Sequence, residues 1–512
     1  MVFKKTIFVF FVSCLSLGTL LAQDSIVINS VSGAVKGVKD GDSWVFKGVP
    51  YAEKLTGATR FRPPVSKSNW LDTLDCRRFG DRAPQYGNKK HIVNGSENCL
   101  FLNIYMPTHR PIKKMPVLVW VHGGGMTNGQ GADMDGRAFA DKDGIVTVTI
   151  NYRLGALGFL YLGDVDKNIS GNNGLLDLME SLRFLRKNIA AYGGDPDRIT
   201  VMGESAGAKL VSTLLLATQS DGLYSQLLLE SGAIQCVRDT MTAKLMRQRM
   251  MDTLQLNNPA DLLTVPLEQL VDAQNKVCGG AKGTNYFGPV ADGSVIPVDF
   301  VGALEKRNLK NIRVLLGSNH SESRLFMNMD KRLYRPNEKI LTDWFGENGS
   351  IADSAIRSKS ADSLGYLLTE YMYAMHTHRL AKVLAEKNVP TWLYRFDYDP
   401  KGEGAAHAQE LAYVWYRKSS GHAVANEPLA ESVHDQWVNF IYGKTPEKKW
   451  QPFSTKHQMK TIGTTDTYQQ NPVFYEDAQF PIGCFKLVDS PLLQLRRRKG
   501  NVVATQFRNA LE

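Results

Sequence analysis

The run Ile199-Thr200-Val201-Met202-Gly203-Glu204-Ser205-Ala206-Gly207 joins an apolar, β-type stretch to a serine with glycines two positions before and two after it. A serine hydroxyl is a weak nucleophile. To be used as one it must stand on a sharp turn, close to a base and to hydrogen-bond donors. Glycines at 203 and 207 permit such a strand-to-helix corner, because no Cβ crowds it. The helix expected from Ala206 to about Leu216 points its positive N-terminus at any charge developing beside Ser205. Alone the pattern is common; its surroundings make it specific.

Short β-branched runs alternate with helical stretches along the chain. Strands are expected at Val117–Val121, Ile145–Ile150, Ile199–Met202, Leu227–Leu229, Arg313–Leu316 and Trp392–Phe396, and the clearest helix runs from Gly174 to Tyr192. Near-continuous apolar strands separated by helices predict an α/β protein with a mostly parallel sheet covered on both faces, with loop and helix insertions. Sites in such sheets lie beyond the carboxyl ends of the strands. His122-Gly123-Gly124-Gly125 follows Val121 directly, and consecutive glycines there would let bare amides face a developing oxyanion. An ordinary glycine turn is the alternative for an isolated triplet. Its pairing with a serine elbow favours the oxyanion role.

A serine nucleophile needs a histidine base, and the histidine needs a carboxylate to fix its tautomer. Both are expected after the serine, acid first. Glu322 is the only acid in the loop Gly317–Ser323 that follows the Arg313–Leu316 strand, and His407 closes the loop Pro400–His407 after the strand ending near Tyr398. His376 and His378 read as a helix surface, and His422, His434 and His457 follow no strand. The order Ser205, Glu322, His407 is therefore the expected catalytic set.

The chain as a whole sets the compartment and the partners. Its 512 residues can bury a large core. Lys4 and Lys5 precede an apolar run from Ile7 to Leu21, and Leu20-Leu21-Ala22 resembles a cleavage site. Residues 1–22 are read as a secretory signal peptide and 23–512 as a single domain with a basic tail, Arg496–Lys499. A lipoprotein signal at Cys14 is the weaker alternative. Export implies a secreted or periplasmic protein, and no later segment is long and apolar enough to span a bilayer. The net charge of +10 comes without a recognition fold or interleaved aromatics, so a nucleic-acid partner is not expected. Of six cysteines, Cys14 lies in the leader, which leaves an odd number. Cys76 with Cys99, and Cys236 with Cys278, close short loops whose pairing spacing cannot assign, and Cys484 is the candidate free thiol.

Beyond these sites, further blocks accumulate in order: Phe46–Ala52, Arg60–Pro64, Glu97–Tyr105, Asn151–Gly155, Gly193–Pro196 and Glu230–Gly232. With them the chain resembles the type-B carboxylesterase family of α/β hydrolases over roughly residues 28–485. The resemblance implies an α/β-hydrolase fold and cofactor- and metal-free hydrolysis of a small-molecule carboxylic ester. It assigns Ser205 as nucleophile, Glu322 as acid and His407 as base, with the amides of Gly124, Gly125 and Ala206 as oxyanion donors. It also implies a Cys76–Cys99 disulfide, and a polar group of Glu204, Ser231 and Glu410 behind the histidine. Ser321 and Ser323 flank the acid where the family usually has Asp and Gly. Asn98 replaces a common aspartate, and Met126 a usual aromatic. The Cys76–Cys99 segment has no tryptophan for a cation–π contact, so choline specificity is not expected. Two alternatives remain: a lipase acting on longer acyl glycerides, and a non-catalytic binding protein of the neuroligin kind. The second is opposed by the retained nucleophile.

Overall fold

The computed structural model describes residues 24–109, 111–278, 287–337, 339–340, 365–366, 368–416 and 424–472. The expected leader with Cys14, His422, Cys484 and the basic tail lie outside them.

One sheet of thirteen strands organises the described residues. Its centre is parallel and runs in the order Val146–Ile150, Met115–Val121, Gly194–Glu204, Gln226–Glu230, Arg313–Asn319, Thr391–Phe396, Gln458–Ile462. Antiparallel strands extend both edges, from Ser25–Ser30 through Phe101–Pro107 on one side and Thr467–Gln470 on the other. All six strands expected from sequence form, each within a few residues of its expected ends.

The central strands read as unbroken apolar runs because both of their faces are buried. Val117, Val119 and Val121 face a core shared with Leu175, Leu178, Leu182 and Leu185 of the helix Asn173–Asn188. The alternate residues Leu118 and Trp120 face a second core with Val433, Trp437 and Phe440 of the helix Glu427–Ile441. Side chains that alternate across a strand thus fill both layers of the sandwich. Asn426 caps the second helix by accepting from the Leu429 amide, and Pro428 sits in its first turn, where no amide is needed.

Register aligns the strand ends. Gly203 pairs with Val121 and Leu229, Glu204 with Glu230, Glu230 with Gly317, and Asn319 with Phe396. The chain lays Met115–Val121 between Val146–Ile150 and Gly194–Glu204, so the sheet order reverses there. A crevice opens beyond the carboxyl ends at such a reversal. Ser205 and the glycine loop after Val121 stand at its mouth.

Two expectations change. The helix after Ser205 is α only over Ala206–Ser212 and tightens to a 3-10 turn at Thr213–Leu215. The Ser212 hydroxyl donates to the Lys209 carbonyl and the Thr213 hydroxyl to that of Leu210, and such back-bonding competes with the α-helical ladder. The Cys76–Cys99 bridge is not formed in this structure, where both are free, buried thiols. Burial pushes the Cys76 thiol up to about 12, and Cys99 higher still. A disulfide forms through the thiolate, which burial disfavours here. Cys236 and Cys278 are likewise free and buried. Among the described residues no helix is long and apolar enough to cross a membrane.

Candidate active site

Ser205 occupies a backbone conformation, φ 55° and ψ −121°, that L-residues seldom adopt. Such strain costs on the order of 1–3 kcal/mol and persists only where the surroundings over-determine it. Here the Ser205 amide donates to the Glu230 carbonyl at 2.9 Å, and the Ser205 carbonyl accepts from the Lys209 amide at 2.9 Å. The flanking glycines are demanded by contact. A Cβ on Gly207 would lie 2.0 Å from the Val121 carbonyl oxygen, and one on Gly203 would lie 2.5 Å from the Gly207 carbonyl carbon.

His407 and Glu322 arrive from later strand ends. His407 Nε2 lies 2.8 Å from Ser205 Oγ, and His407 Nδ1 lies 2.6 Å from Glu322 Oε2. Glu322 is fully buried, and its other oxygen accepts from the Asn319 amide at 2.7 Å and the Ser231 hydroxyl at 2.5 Å. The two loops are tied together by the Ser321 amide, which donates to the Ala405 carbonyl. Asp399 gathers the His407 loop by accepting amides that include those of Lys401 and Gly404.

The polar group behind the histidine is also assembled. Glu204 Oε1 sits 3.1 Å from His407 Nε2, close enough to attract it but outside hydrogen-bonding alignment. Glu410 accepts from Asn319 Nδ2, and the Ser231 hydroxyl stands 3.5 Å from its other oxygen. Glu230, unsuspected from sequence, adds a fourth buried carboxyl and accepts from Trp437 Nε1 at 2.7 Å. Burial drives Glu204, Glu230 and Glu410 up, and repulsion from neighbouring carboxylates adds to it in each. Burial pulls His407 down, yet Glu204, Glu322 and Glu410 together outweigh it and raise His407 above the usual imidazole range.

The glycine loop is anchored from behind. His122 is buried and pulled down to about 4, so it stays neutral, with Nδ1 2.9 Å from the Gly123 carbonyl. Its ring stacks on Tyr152, whose hydroxyl donates to the His122 carbonyl. Gly124 and Gly125 have φ of 100° and 64°. Among the described residues the amides of Gly124, Gly125 and Ala206 donate to no acceptor. All three residues line one cavity of about 770 Å³ together with Ser205 and His407.

Much of that cavity wall was not legible in the sequence. Phe326 and Tyr373 come from segments inserted between the Arg313–Asn319 and Thr391–Phe396 strands, and both rings contact His407, at 5.3 and 4.6 Å between centroids. Tyr373 belongs to a π-helical turn, Glu370–Ala374, a local widening often found at functional sites. Lys209 also lines the cavity, one helical turn past the serine. It is the one charged residue in that helix, and that charge was the available signal. His378, expected on a helix surface, is instead buried, and His434 pairs with Asp143; neither meets Ser205.

Residues 24–480 match the model of the carboxylesterase family. The para-nitrobenzyl esterase of Bacillus subtilis (strain 168) is 29% identical over 444 residues, covering 82% of this chain and 90% of that protein. The fumonisin B1 esterase of Sphingopyxis macrogoltabida is 31% identical over 480 residues, covering 86% of each. A solved PNB esterase superposes with a TM-score of 0.77 at 28% identity, over 87% of this chain and 97% of the other, which identifies the α/β-hydrolase fold.

Proposed function

The chain belongs to the carboxylesterase family and is a carboxylic ester hydrolase, and on that premise we propose that it works as an exported serine esterase with Ser205 as nucleophile. Supporting this above all is the bridging position of His407, 2.8 Å from the Ser205 hydroxyl and 2.6 Å from the Glu322 carboxylate.

Ser205 Oγ attacks the ester carbonyl carbon while its proton passes to His407 Nε2. Glu322 holds Nδ1–H toward itself and stabilises the imidazolium that forms. The amides of Gly124, Gly125 and Ala206 receive the tetrahedral oxyanion, at no reorganisation cost because they have no other acceptor to leave. The intermediate collapses, His407 returns its proton to the departing alcohol, and an acyl-serine remains. Water, deprotonated by the same imidazole, then attacks the acyl carbon and releases the acid. The strained turn keeps Oγ exposed to substrate at the end of its strand.

Export rests on the leader at residues 1–22. It would carry Cys76 and Cys99 into an oxidising compartment, where the bridge implied by the resemblance can form; peptide mapping of unreduced, exported protein tests this. The catalytic proposal is tested by Ser205→Ala. Hydrolysis of 4-nitrophenyl butyrate should fall to background in a variant with an unchanged circular dichroism spectrum. Near-full activity would refute Ser205 as nucleophile.

A further inference from the structure

Lys209 is 5% exposed, and among the described residues its ammonium makes no hydrogen bond and no ion pair. It lines the same cavity as Ser205. Its ammonium stands over the face of Tyr373, whose ring centroid lies 4.5 Å away. The same ring packs against the His407 imidazole at 4.6 Å between centroids, so Tyr373 touches both the ammonium and the base. Arg238, 3% exposed, lines the cavity too, and Arg332 stands at it beside its partner Asp330.

A buried ammonium without a counter-ion is expensive. Burial pulls Lys209 down to about 8; Arg238 pulls the same way, and the nearby Cys236, Glu322 and Glu204 oppose them. None of these acids reaches ion-pair distance of Lys209 among the described residues. Glu322 is engaged with His407, Asn319 and Ser231, and Glu204 stands beside His407 at 3.1 Å. The buried charge is therefore costly, and an anion bound in the cavity would offset that cost.

The geometry points to an ester carrying a free carboxylate as the substrate class, with Lys209 as the group that receives that carboxylate. This rests on Ser205 acting in the same cavity. The carboxylate replaces the lost hydration of the ammonium by a charge-assisted hydrogen bond in a low-dielectric site, and Arg238 adds a second positive field. The purely apolar wall that a long acyl chain requires is interrupted here by Lys209 and Arg238. The Lys209 side chain leaves the helix one turn from Ser205, so a carboxylate a few bonds from the reacting carbonyl can reach it.

The test compares mono-4-nitrophenyl adipate with its methyl ester, which has the same leaving group and reach but no charge. A second pair, 3-carboxyphenyl butyrate and phenyl butyrate, places the carboxylate on the alcohol side. The wild-type enzyme should prefer the charged member of at least one pair by about tenfold or more in kcat/KM, and the pair that responds identifies the side. In Lys209→Met that ratio should collapse toward one, read as a ratio whatever the absolute rate, and Lys209→Arg should keep most of it. If Lys209→Met does not fold, competition on the wild-type enzyme decides: adipate should inhibit 4-nitrophenyl butyrate hydrolysis and dimethyl adipate should not. Hydrolysis of neutral esters with no preference in either pair, or a preference untouched by Lys209→Met, would overturn the assignment. Failure to hydrolyse any of the four would instead overturn the serine-esterase reading.

Discussion

Glu322 Oε2 and His407 Nδ1 stand 2.6 Å apart although 85 residues separate them in the chain. Two neighbouring strands of the sheet create that meeting. The Arg313–Asn319 and Thr391–Phe396 strands run parallel and in register, so the loops leaving their carboxyl ends emerge side by side. The Asn319 amide and the Ser231 hydroxyl then hold the carboxylate from behind.

Replacing Glu322 by Gln keeps the shape of this contact but removes the charge that stabilises the imidazolium. The kcat for 4-nitrophenyl butyrate should fall by about 10⁴, as when a triad carboxylate is neutralised in a serine protease. KM should change little, because Glu322 lies behind the histidine, away from the ester. An unchanged kcat in a folded variant would place the acid elsewhere.

His407 must be neutral to accept the serine proton, and surrounding carboxylates raise it above the ordinary imidazole value of 6.5. The acid limb of kcat/KM should therefore lie above pH 6.5, with activity rising as pH rises through it. Glu204→Gln withdraws the largest of those Coulombic attractions, so protonated His407 loses support. The limb should move to lower pH by about one unit or more. A limb that stays in place would show that Glu204 carries no charge in the free enzyme.

Gly207 packs against backbone, where nothing flexible can yield. Gly207→Ala sets a methyl 2.0 Å from the Val121 carbonyl oxygen. Forced shifts of this kind cost about 1–3 kcal/mol or more. The variant should show a lower Tm, and it should also lose activity, because Val121 leads into the oxyanion loop. A wild-type Tm with full activity would mean the elbow is looser than its contacts indicate.

The elbow, the glycine loop and the acid–base order were readable because each lies within a few residues of a strand end, where local pattern and topology agree. The central strands were equally plain, since burial on both faces leaves them continuously apolar. The cavity walls were not. Tyr373 reaches His407 from 34 residues upstream through a π-helical turn that no periodicity marks. Glu230 reads as the polar end of a strand, and only the fold turns it toward Glu410 and Trp437. The Cys76–Cys99 pairing came from resemblance alone, and the structure holds both as buried thiols. His378 shows the converse, since its neighbours in sequence suggested a surface and packing across the helix Met375–Glu386 buried it.

In the proposed mechanism Ser205 forms the covalent intermediate. A fluorophosphonate probe reacts with an activated serine and leaves a stable mass on it. After inactivation, proteolysis and mass spectrometry should place one label per chain, on the peptide containing Gly203–Gly207, and Ser205→Ala should remain unlabelled. Labelling confined to another residue, or full inactivation with Ser205 unmodified, would contradict the account.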